Sequence, residues 1–107
     1  MTAIEKMQKN GISIDEKTIY AIVSKYKVQE LSVFGSSIRD DFNEDSDVDL
    51  IIVFKESKDI SLFDLMDIQD FFETKFSRKV DLVEPDGLRN PIRRKSILES
   101  KEILYVA

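Results

Sequence analysis

Two aspartates stand at the entry to the most apolar run of the chain. Asp47 and Asp49 flank one valine, and residues 50–54 then read Leu-Ile-Ile-Val-Phe. Residues i and i+2 of a strand point to the same face, so the two carboxylates should lie side by side, roughly 6.5–7 Å apart. Such charges repel each other and are costly to desolvate. A divalent cation would compensate them, and oxygen ligands favour Mg²⁺ or Mn²⁺. The alternative is a solvated loop, with the strand starting only at Leu50.

A glycine and two serines offer a second chemical group. Gly35-Ser36-Ser37 follows a predicted strand over 31–34 and is expected to open a short helix. Glycine allows close backbone approach, and a helix start presents free N–H groups to an anion. Ser36 adds a hydroxyl donor. A phosphate-binding turn and a metal-binding acidic pair in one domain suggest nucleotide chemistry, although most Gly-Ser-Ser triplets are plain turns.

A third carboxylate lies within another predicted strand. Asp81 sits between Val80 and Leu82 in a strand predicted over 79–84, where aspartate is disfavoured by propensity. Taken alone, it indicates an edge strand with its side chain in water. Together with the other two motifs, Asp81 is the candidate third metal ligand or general base.

The remaining sequence supplies the elements that must position these groups. Ser13 with Glu16 resembles a capping box, and apolar residues at helical spacing follow it. Ser61 with Asp64 predicts a helix reaching about Phe76. The residues expected to be buried by these two helices are Ile19, Ile22, Val23 and Tyr26 in the first, and Leu62, Leu65, Met66 and Phe72 in the second.

The C-terminal third predicts a turn, a helix and a strand. Pro85-Asp86-Gly87 is a turn, and Asn90-Pro91 combines a cap with proline at the first helical position. That helix should run to about Ser100, before a last strand over 103–106. Residues 1–11 show weaker helical periodicity that ends at Asn10-Gly11. The order of elements predicts one α/β or α+β domain spanning residues 1–107.

Composition excludes several functions. The chain has 107 residues, with 16 Lys and Arg against 21 Asp and Glu, for a net charge of −5. We expect no direct nucleic-acid binding, which needs a basic surface. Without Cys or His, thiolate nucleophiles, imidazole acid–base chemistry and His-type zinc sites are excluded. No stretch approaches the roughly 20 apolar residues that span a bilayer, and no signal peptide is recognisable. We therefore expect a cytoplasmic protein without membrane association.

The motifs together resemble the nucleotidyltransferase superfamily with the DNA polymerase β-like fold. Its signature is Gly-Ser, ten residues, then Asp-x-Asp, which here is Gly35-Ser36, ten residues, and Asp47-Val48-Asp49. Residues 80–83 (Val-Asp-Leu-Val) are similar to its third acidic strand. The resemblance runs from about residue 15 to the C-terminus and implies a small mixed sheet packed by helices. Members often have Arg-Gly after the Gly-Ser segment, whereas Arg39 is followed here by Asp40.

The small size is similar to that of the minimal nucleotidyltransferases, many of which are antitoxins paired with a HEPN-domain toxin. The resemblance implies transfer of AMP from ATP to a toxin tyrosine, which silences the toxin, and a hetero-oligomer of the two chains. It implies two Mg²⁺ ions held by Asp47, Asp49 and Asp81, and nucleotide phosphates held by Gly35, Ser36 and Arg39.

Three alternatives remain at this point. An inactive nucleotidyltransferase-like module could neutralise its partner by contact alone. A small-molecule nucleotidyltransferase would need acceptor-binding structure for which 107 residues leave little room. A calcium loop would use positions 1, 3, 5 and 12 of an EF-hand, but Leu50 stands where that loop needs glycine. The acidic residues at those four positions are Asp45, Asp47, Asp49 and Glu56.

One basic cluster stands out in the acidic chain. It comprises Arg89, Arg93, Arg94 and Lys95. Its simpler interpretation is a solvated helix face. Its functional interpretation is a contact surface for a partner or for the phosphates of the nucleotide.

Overall fold

Four helices and four strands make up the chain, and a computed structural model describes all of residues 1–107. Short 3₁₀ turns connect some of these elements, at Gly35–Ile38, Ser57–Asp59 and Pro85–Gly87. In chain order the helices and strands are α1 (Ala3–Lys9), α2 (Glu16–Lys25), β1 (Val28–Phe34), β2 (Val48–Phe54), α3 (Leu62–Phe76), β3 (Val80–Val83), α4 (Pro91–Ser100) and β4 (Glu102–Val106).

The four strands form one mixed sheet in the order β3-β2-β1-β4. β1 runs antiparallel to both β2 and β4, whereas β2 and β3 are parallel. The chain can join β2 to β3 in parallel because α3 provides the long crossover that a parallel pair requires. The predicted α+β class, with a small mixed sheet packed by helices, is confirmed.

One face of the sheet carries the main hydrophobic core. Alternate residues of β2 (Val48, Leu50 and Ile52) are fully buried there, because successive strand residues point to opposite faces. Helices α1, α2 and α3 cover this face, contributing Met7, Ile19, Ile22, Ile68 and Phe72 among others.

The opposite face is covered less completely. A small second cluster joins Phe34 of β1 and Ile51 of β2 to Leu88 and to Ile97 of α4. Since Asp49 precedes Ile51 by two residues, its side chain lies on this α4-covered face rather than in the main core. The sheet therefore separates the packing face from the face that carries the acidic residues.

Most of the predicted boundaries hold, with one helix start displaced. Ser61 and Asp64 form the predicted capping box of α3, and Asn90 caps α4 ahead of Pro91. The predicted cap at Ser13 is wrong, because α2 is capped by Asp15, whose carboxylate accepts from the Thr18 backbone N–H at 2.8 Å. The later start leaves Ile14 in an extended segment, where it is buried in the same core as Ile19.

The buried side of α3 also differs from the prediction. Phe72 is buried and Leu65 half-buried, as expected, but Leu62 and Met66 are exposed. The core-facing residues are instead Ile68, Phe72 and Phe76, spaced four apart along one side of the helix. At 100° per residue, Leu62 and Met66 lie roughly 80–120° around the helix from Phe72. None of the helices combines the length and hydrophobicity needed to cross a bilayer.

Candidate active site

The candidate site begins where β1 ends in a tight turn. Gly35 has a φ of +73°, a left-handed conformation that L side chains adopt at a cost. The 3₁₀ turn Gly35–Ile38 follows, so the predicted short helix is confirmed. Gly35 thus turns the chain sharply enough to bring Ser36 beside the sheet.

Gly35 also makes room for an acidic side chain. A Cβ atom at this position would lie 2.5 Å from Oδ2 of Asp49, well inside van der Waals contact. Phe34 and Asp49 are register partners of the antiparallel pair β1–β2, which places the glycine next to that carboxylate. Two independent constraints, the backbone angle and the close approach of Asp49, therefore require glycine here.

The two parallel strands bring two of the predicted acids together. Asp49 of β2 and Asp81 of β3 are direct register partners, on strands that lie about 4.8 Å apart. Asp47 immediately precedes β2 and is exposed, as is Asp81, whereas Asp49 is half-buried. Asp81 does lie on an edge strand facing solvent, as its local sequence indicated, and that position places it beside Asp49.

The electrostatics of Asp49 reflect this crowding. Burial, followed by the negative charges of Asp81 and Asp47, raises the pKa of Asp49 from 3.8 to about 6. The positive charges of Arg93 and Arg39 lower the pKa but do not cancel the increase. Asp49 therefore carries a negative charge at neutral pH that the chain itself does not neutralise.

The donor set is compatible with a hard divalent cation. All three candidate ligands are carboxylates, and Arg93 and Arg39 only partly offset the half-buried charge of Asp49. No three acidic side chains converge closely enough to enclose a metal on their own. Mg²⁺ does not require such a cage, because it commonly retains water and binds phosphate oxygens alongside one or two protein carboxylates. The residues present thus fit Mg²⁺ held together with a nucleotide.

Arg39 pairs with Asp41 and with none of the three candidate aspartates. Its guanidinium forms an ion pair with Asp41, Nε to Oδ1 at 3.1 Å, and both side chains are mostly exposed. This pairing lowers the pKa of Asp41, chiefly through the hydrogen bond from Arg39. A role for Arg39 in holding phosphate would require it to leave Asp41.

The basic cluster of α4 divides between two directions. Arg93 precedes the buried Ile97 by four residues and so lies on the same side of α4. Ile97 packs with Ile51, which follows Asp49 by two residues on the same sheet face. The side chain of Arg93 is exposed, but it is near enough to the acidic face for its charge to lower the pKa of Asp49. By contrast, Lys95 approaches Glu99 on the exposed side of the helix at 3.9 Å. The fold singles out Arg93, which the sequence alone did not distinguish from its neighbours.

Two residues that fix the loop between the two motifs were not predicted. Asn10, at the C-terminus of α1, donates to the carbonyls of Ser37 and Arg39 at 2.8 and 3.0 Å. At the other end of the loop, Arg78 donates to three backbone carbonyls. These partners are 27 to 35 residues apart along the chain, so no local pattern could reveal them.

The calcium-loop alternative is wrong. An EF-hand loop needs a turn at its sixth position, which here is Leu50. That residue instead lies fully buried within β2, which continues to Phe54.

Comparison with known proteins identifies the family. Residues 16–104 match the family described as "Nucleotidyltransferase domain". The chain is 35% identical to protein adenylyltransferase MntA of Thermococcus cleftensis, over 77% of this chain and 78% of that protein. It is 37% identical to a candidate protein adenylyltransferase of Methanocaldococcus jannaschii, over 77% of this chain and 80% of that one.

Solved structures agree on the fold. A candidate minimal nucleotidyltransferase superposes with a TM-score of 0.68 at 25% identity, over 99% of this chain and 97% of the other. A toxin–antitoxin structure with AMP-PNP gives a TM-score of 0.69 at 16% identity, over 88% and 75% of the two chains, which is a likeness of fold alone. The chain accordingly belongs to the nucleotidyltransferase family, among the minimal nucleotidyltransferases related to the protein adenylyltransferase MntA.

Proposed function

We propose that this nucleotidyltransferase is an antitoxin that transfers AMP from ATP to a tyrosine hydroxyl of a HEPN-domain toxin. The observation that carries the proposal is the pairing of Asp49 with Asp81 beside the Gly35 turn. The relatives named protein adenylyltransferases and the toxin–antitoxin structure of the same fold support it. We further propose that residues 1–107 act as one domain in the cytoplasm, in a hetero-oligomer with the toxin.

The three aspartates are proposed to bind Mg²⁺ together with the triphosphate. When bound, two Mg²⁺ ions would offset the charge of the phosphates and favour ionisation of the attacking hydroxyl. Asp49 is the central ligand, because its half-buried charge is not neutralised within the chain. Asp47 and Asp81 flank it from the loop and from β3.

The turn after β1 is proposed to hold the phosphates. Gly35 lets the backbone approach the nucleotide, and Ser36 offers a hydroxyl beside it. Arg93, whose charge lowers the pKa of Asp49, is proposed to pair with the triphosphate once the nucleotide is bound.

The chemistry is a substitution at the α-phosphorus of ATP. Asp81 is exposed and can accept the proton of the acceptor hydroxyl, since the chain has no histidine. The hydroxyl oxygen forms a bond to the α-phosphorus while the bond to the β-phosphate oxygen breaks, and pyrophosphate leaves. The product is an AMP ester of the acceptor.

The test combines the chain, ATP, Mg²⁺ and the HEPN-domain protein encoded beside it. Intact mass spectrometry should show the partner gaining AMP, and tandem spectra should place it on tyrosine. Replacing both acids, Asp47→Asn with Asp49→Asn, should reduce transfer on the order of 1,000-fold or more while circular dichroism stays native.

Other outcomes separate the alternatives. Undiminished transfer by the double variant would refute the assignment of the acids. Neutralisation of the toxin without consumption of ATP would indicate the contact-only module instead. Transfer to a small hydroxylated compound, with none to protein, would indicate the small-molecule enzyme.

A further inference from the structure

The loop that carries Asp47 is closed by its own hydrogen bonds. The Asn43 backbone N–H donates to Oγ of Ser46 at 3.1 Å, and the Ser46 N–H donates back to the Asn43 carbonyl at 3.0 Å. The Asp45 N–H donates to Oδ1 of Asn43 at 2.9 Å. These contacts shape residues 43–46 but do not attach them to the rest of the fold.

Arg78 makes that attachment. Its Nη1 atom lies 3.0 Å from the Asn43 carbonyl oxygen, 3.4 Å from that of Glu44 and 3.0 Å from that of Ser46. The same guanidinium stacks over the ring of Phe42, 4.3 Å from its centroid. One side chain thus donates hydrogen bonds to three carbonyls of an acidic loop and stacks on the aromatic residue that precedes them.

The peptide groups before and after Asp47 both form hydrogen bonds with residues 78–79. Before it, the Ser46 carbonyl accepts from Arg78. After it, the Val48 backbone N–H donates to the Lys79 carbonyl at 3.0 Å. Asp47 therefore lies between two peptide groups that residues 78 and 79 hold in place, and its own carbonyl accepts from Oγ of Ser37 at 3.5 Å, although its side chain is exposed.

The turn between α3 and β3 fixes the positions of Arg78 and Lys79. Ser77 ends α3 in a left-handed conformation, with φ 52°, and reverses the chain into β3. Asp81 follows Arg78 by three residues, so the segment that carries one candidate ligand also anchors the loop that carries another. Because carboxylates reach a cation only when their backbone is placed correctly, this anchoring bears directly on metal binding.

We propose that Arg78 is a positioning residue that holds Asp47 in reach of the cation shared with Asp49. The inference rests on the proposed function, since it takes Asp47 as a ligand. Arg78 touches neither nucleotide nor metal in this role. Because Arg78 already orders the loop, metal binding does not have to offset the loss of the loop's conformational entropy.

The experiment measures Mn²⁺ binding to the full chain by electron paramagnetic resonance, without nucleotide or partner. Arg78→Ala should weaken Mn²⁺ binding by roughly 10-fold, at the lower end of the range for groups that orient metal ligands. Hydrogen exchange should speed up in residues 43–48 and stay unchanged in the β1–β4 pairing. Lys79→Ala removes the same charge from the neighbouring, exposed position and should change neither measurement.

Two further variants keep the test decisive if Arg78→Ala does not fold. Arg78→Lys retains the charge without the planar stack on Phe42 and should recover part of the affinity. Phe42→Leu retains apolar volume and should weaken Mn²⁺ binding less than Arg78→Ala does. Unchanged Mn²⁺ affinity in the folded Arg78 variants would overturn the inference.

The acids supply the reference that separates the two proposals. If Asp47→Asn and Asp49→Asn leave Mn²⁺ binding unchanged, the metal site of the proposed function fails and the inference falls with it. If both weaken binding while Arg78→Ala matches wild type, or Arg78→Lys does so where the alanine variant does not fold, the metal site stands and the role of Arg78 is refuted.

Discussion

The two faces of β2 differ in how completely their side chains are buried. On one face Val48, Leu50 and Ile52 are fully buried under three helices. On the other, Asp49 is half-buried and its neighbour Ile51 contacts only the small cluster beneath α4. The difference shows how a short chain can keep an unfavourable charge in place: the packing face provides the stability that the acidic face lacks.

Substitutions on the two faces should have different effects. Changes on the packing face should lower the free energy of unfolding and leave the chemistry of the folded molecules intact. Changes on the acidic face should alter the chemistry and can even raise stability, because the site is assembled against local electrostatic cost. The predictions below test that division.

The largest effect on stability is expected on the packing face. Leu50→Ala removes a fully buried side chain and should lower the free energy of unfolding by about 2–5 kcal/mol. Thermal unfolding should shift down by about 10 °C or more. AMP transfer per folded molecule should remain within a factor of two. A large loss of transfer in fully folded protein would contradict the division between faces.

The next largest effect is expected at Gly35, which follows β1 and lies beside Asp49. Gly35→Ala places a Cβ 2.5 Å from Oδ2 of Asp49 and forces alanine to a φ of +73°. The carboxylate must move, and a displacement of about 1 Å can slow an enzyme about 100-fold. Single-turnover transfer rates measure this. Gly11→Ala shares the positive φ but meets no atom within 4 Å, so it should cost stability alone.

A smaller, more selective effect is expected for Arg93. If it pairs with the triphosphate, Arg93→Ala should raise the KM for ATP roughly 10-fold with little change in kcat. Lys95→Ala is the matched control, because Lys95 lies on the exposed side of α4 near Glu99. Equal effects of both variants would mean that the cluster acts only through its overall charge.

The smallest expected effect is a gain in the free energy of unfolding. The pKa of Asp49 is raised on folding, so the folded state holds its proton more tightly and stability falls as pH rises from about 4 to 6. Above pH 6 the penalty is complete. In metal-free buffer at pH 7.5, Asp49→Asn should therefore stabilise the chain by about 1–2 kcal/mol, allowing for solvent screening.

The pH dependence provides the control for that gain. At pH 3.5 the wild-type carboxyl is protonated in the folded state and mostly protonated in the unfolded state, so the advantage of Asp49→Asn should nearly vanish. Asp67→Asn, on the exposed side of α3, should give no comparable gain at either pH. A gain that is independent of pH would show that the crowding of Asp49 is not its cause. Denaturant unfolding at the two pH values measures the difference.

The sequence predicted the elements whose signals are local. Ser61 with Asp64, and Asn90 with Pro91, mark helix starts through bonds that span two or three residues. The β-branched run of β2 and the Gly35 turn are similarly readable. The cap at Ser13 failed because Asp15 offers the same chemistry two residues later and leaves Ile14 beside Ile19 in the core.

The sequence indicated the acidic residues of the candidate site but not the residues that hold its loops. The spacing of the Gly-Ser and Asp-x-Asp motifs, with the resemblance it carries, indicated the acids that the register of β2 and β3 aligns. Arg78 and Asn10 were not predictable, because their partners are backbone carbonyls far away in the sequence. Arg93 was noticed only as part of a charged group, since its orientation depends on how Ile97 packs.

The position of β3 at the rim of the sheet has a consequence for access. No strand lies beyond it, it has only four residues, and the Asp81 side chain is open to solvent. A bulky acceptor can therefore approach the acids sideways, past the end of the sheet, without any segment having to open or close. The open edge of the sheet, and not an enclosed cleft, is the route by which a protein acceptor would reach Asp81.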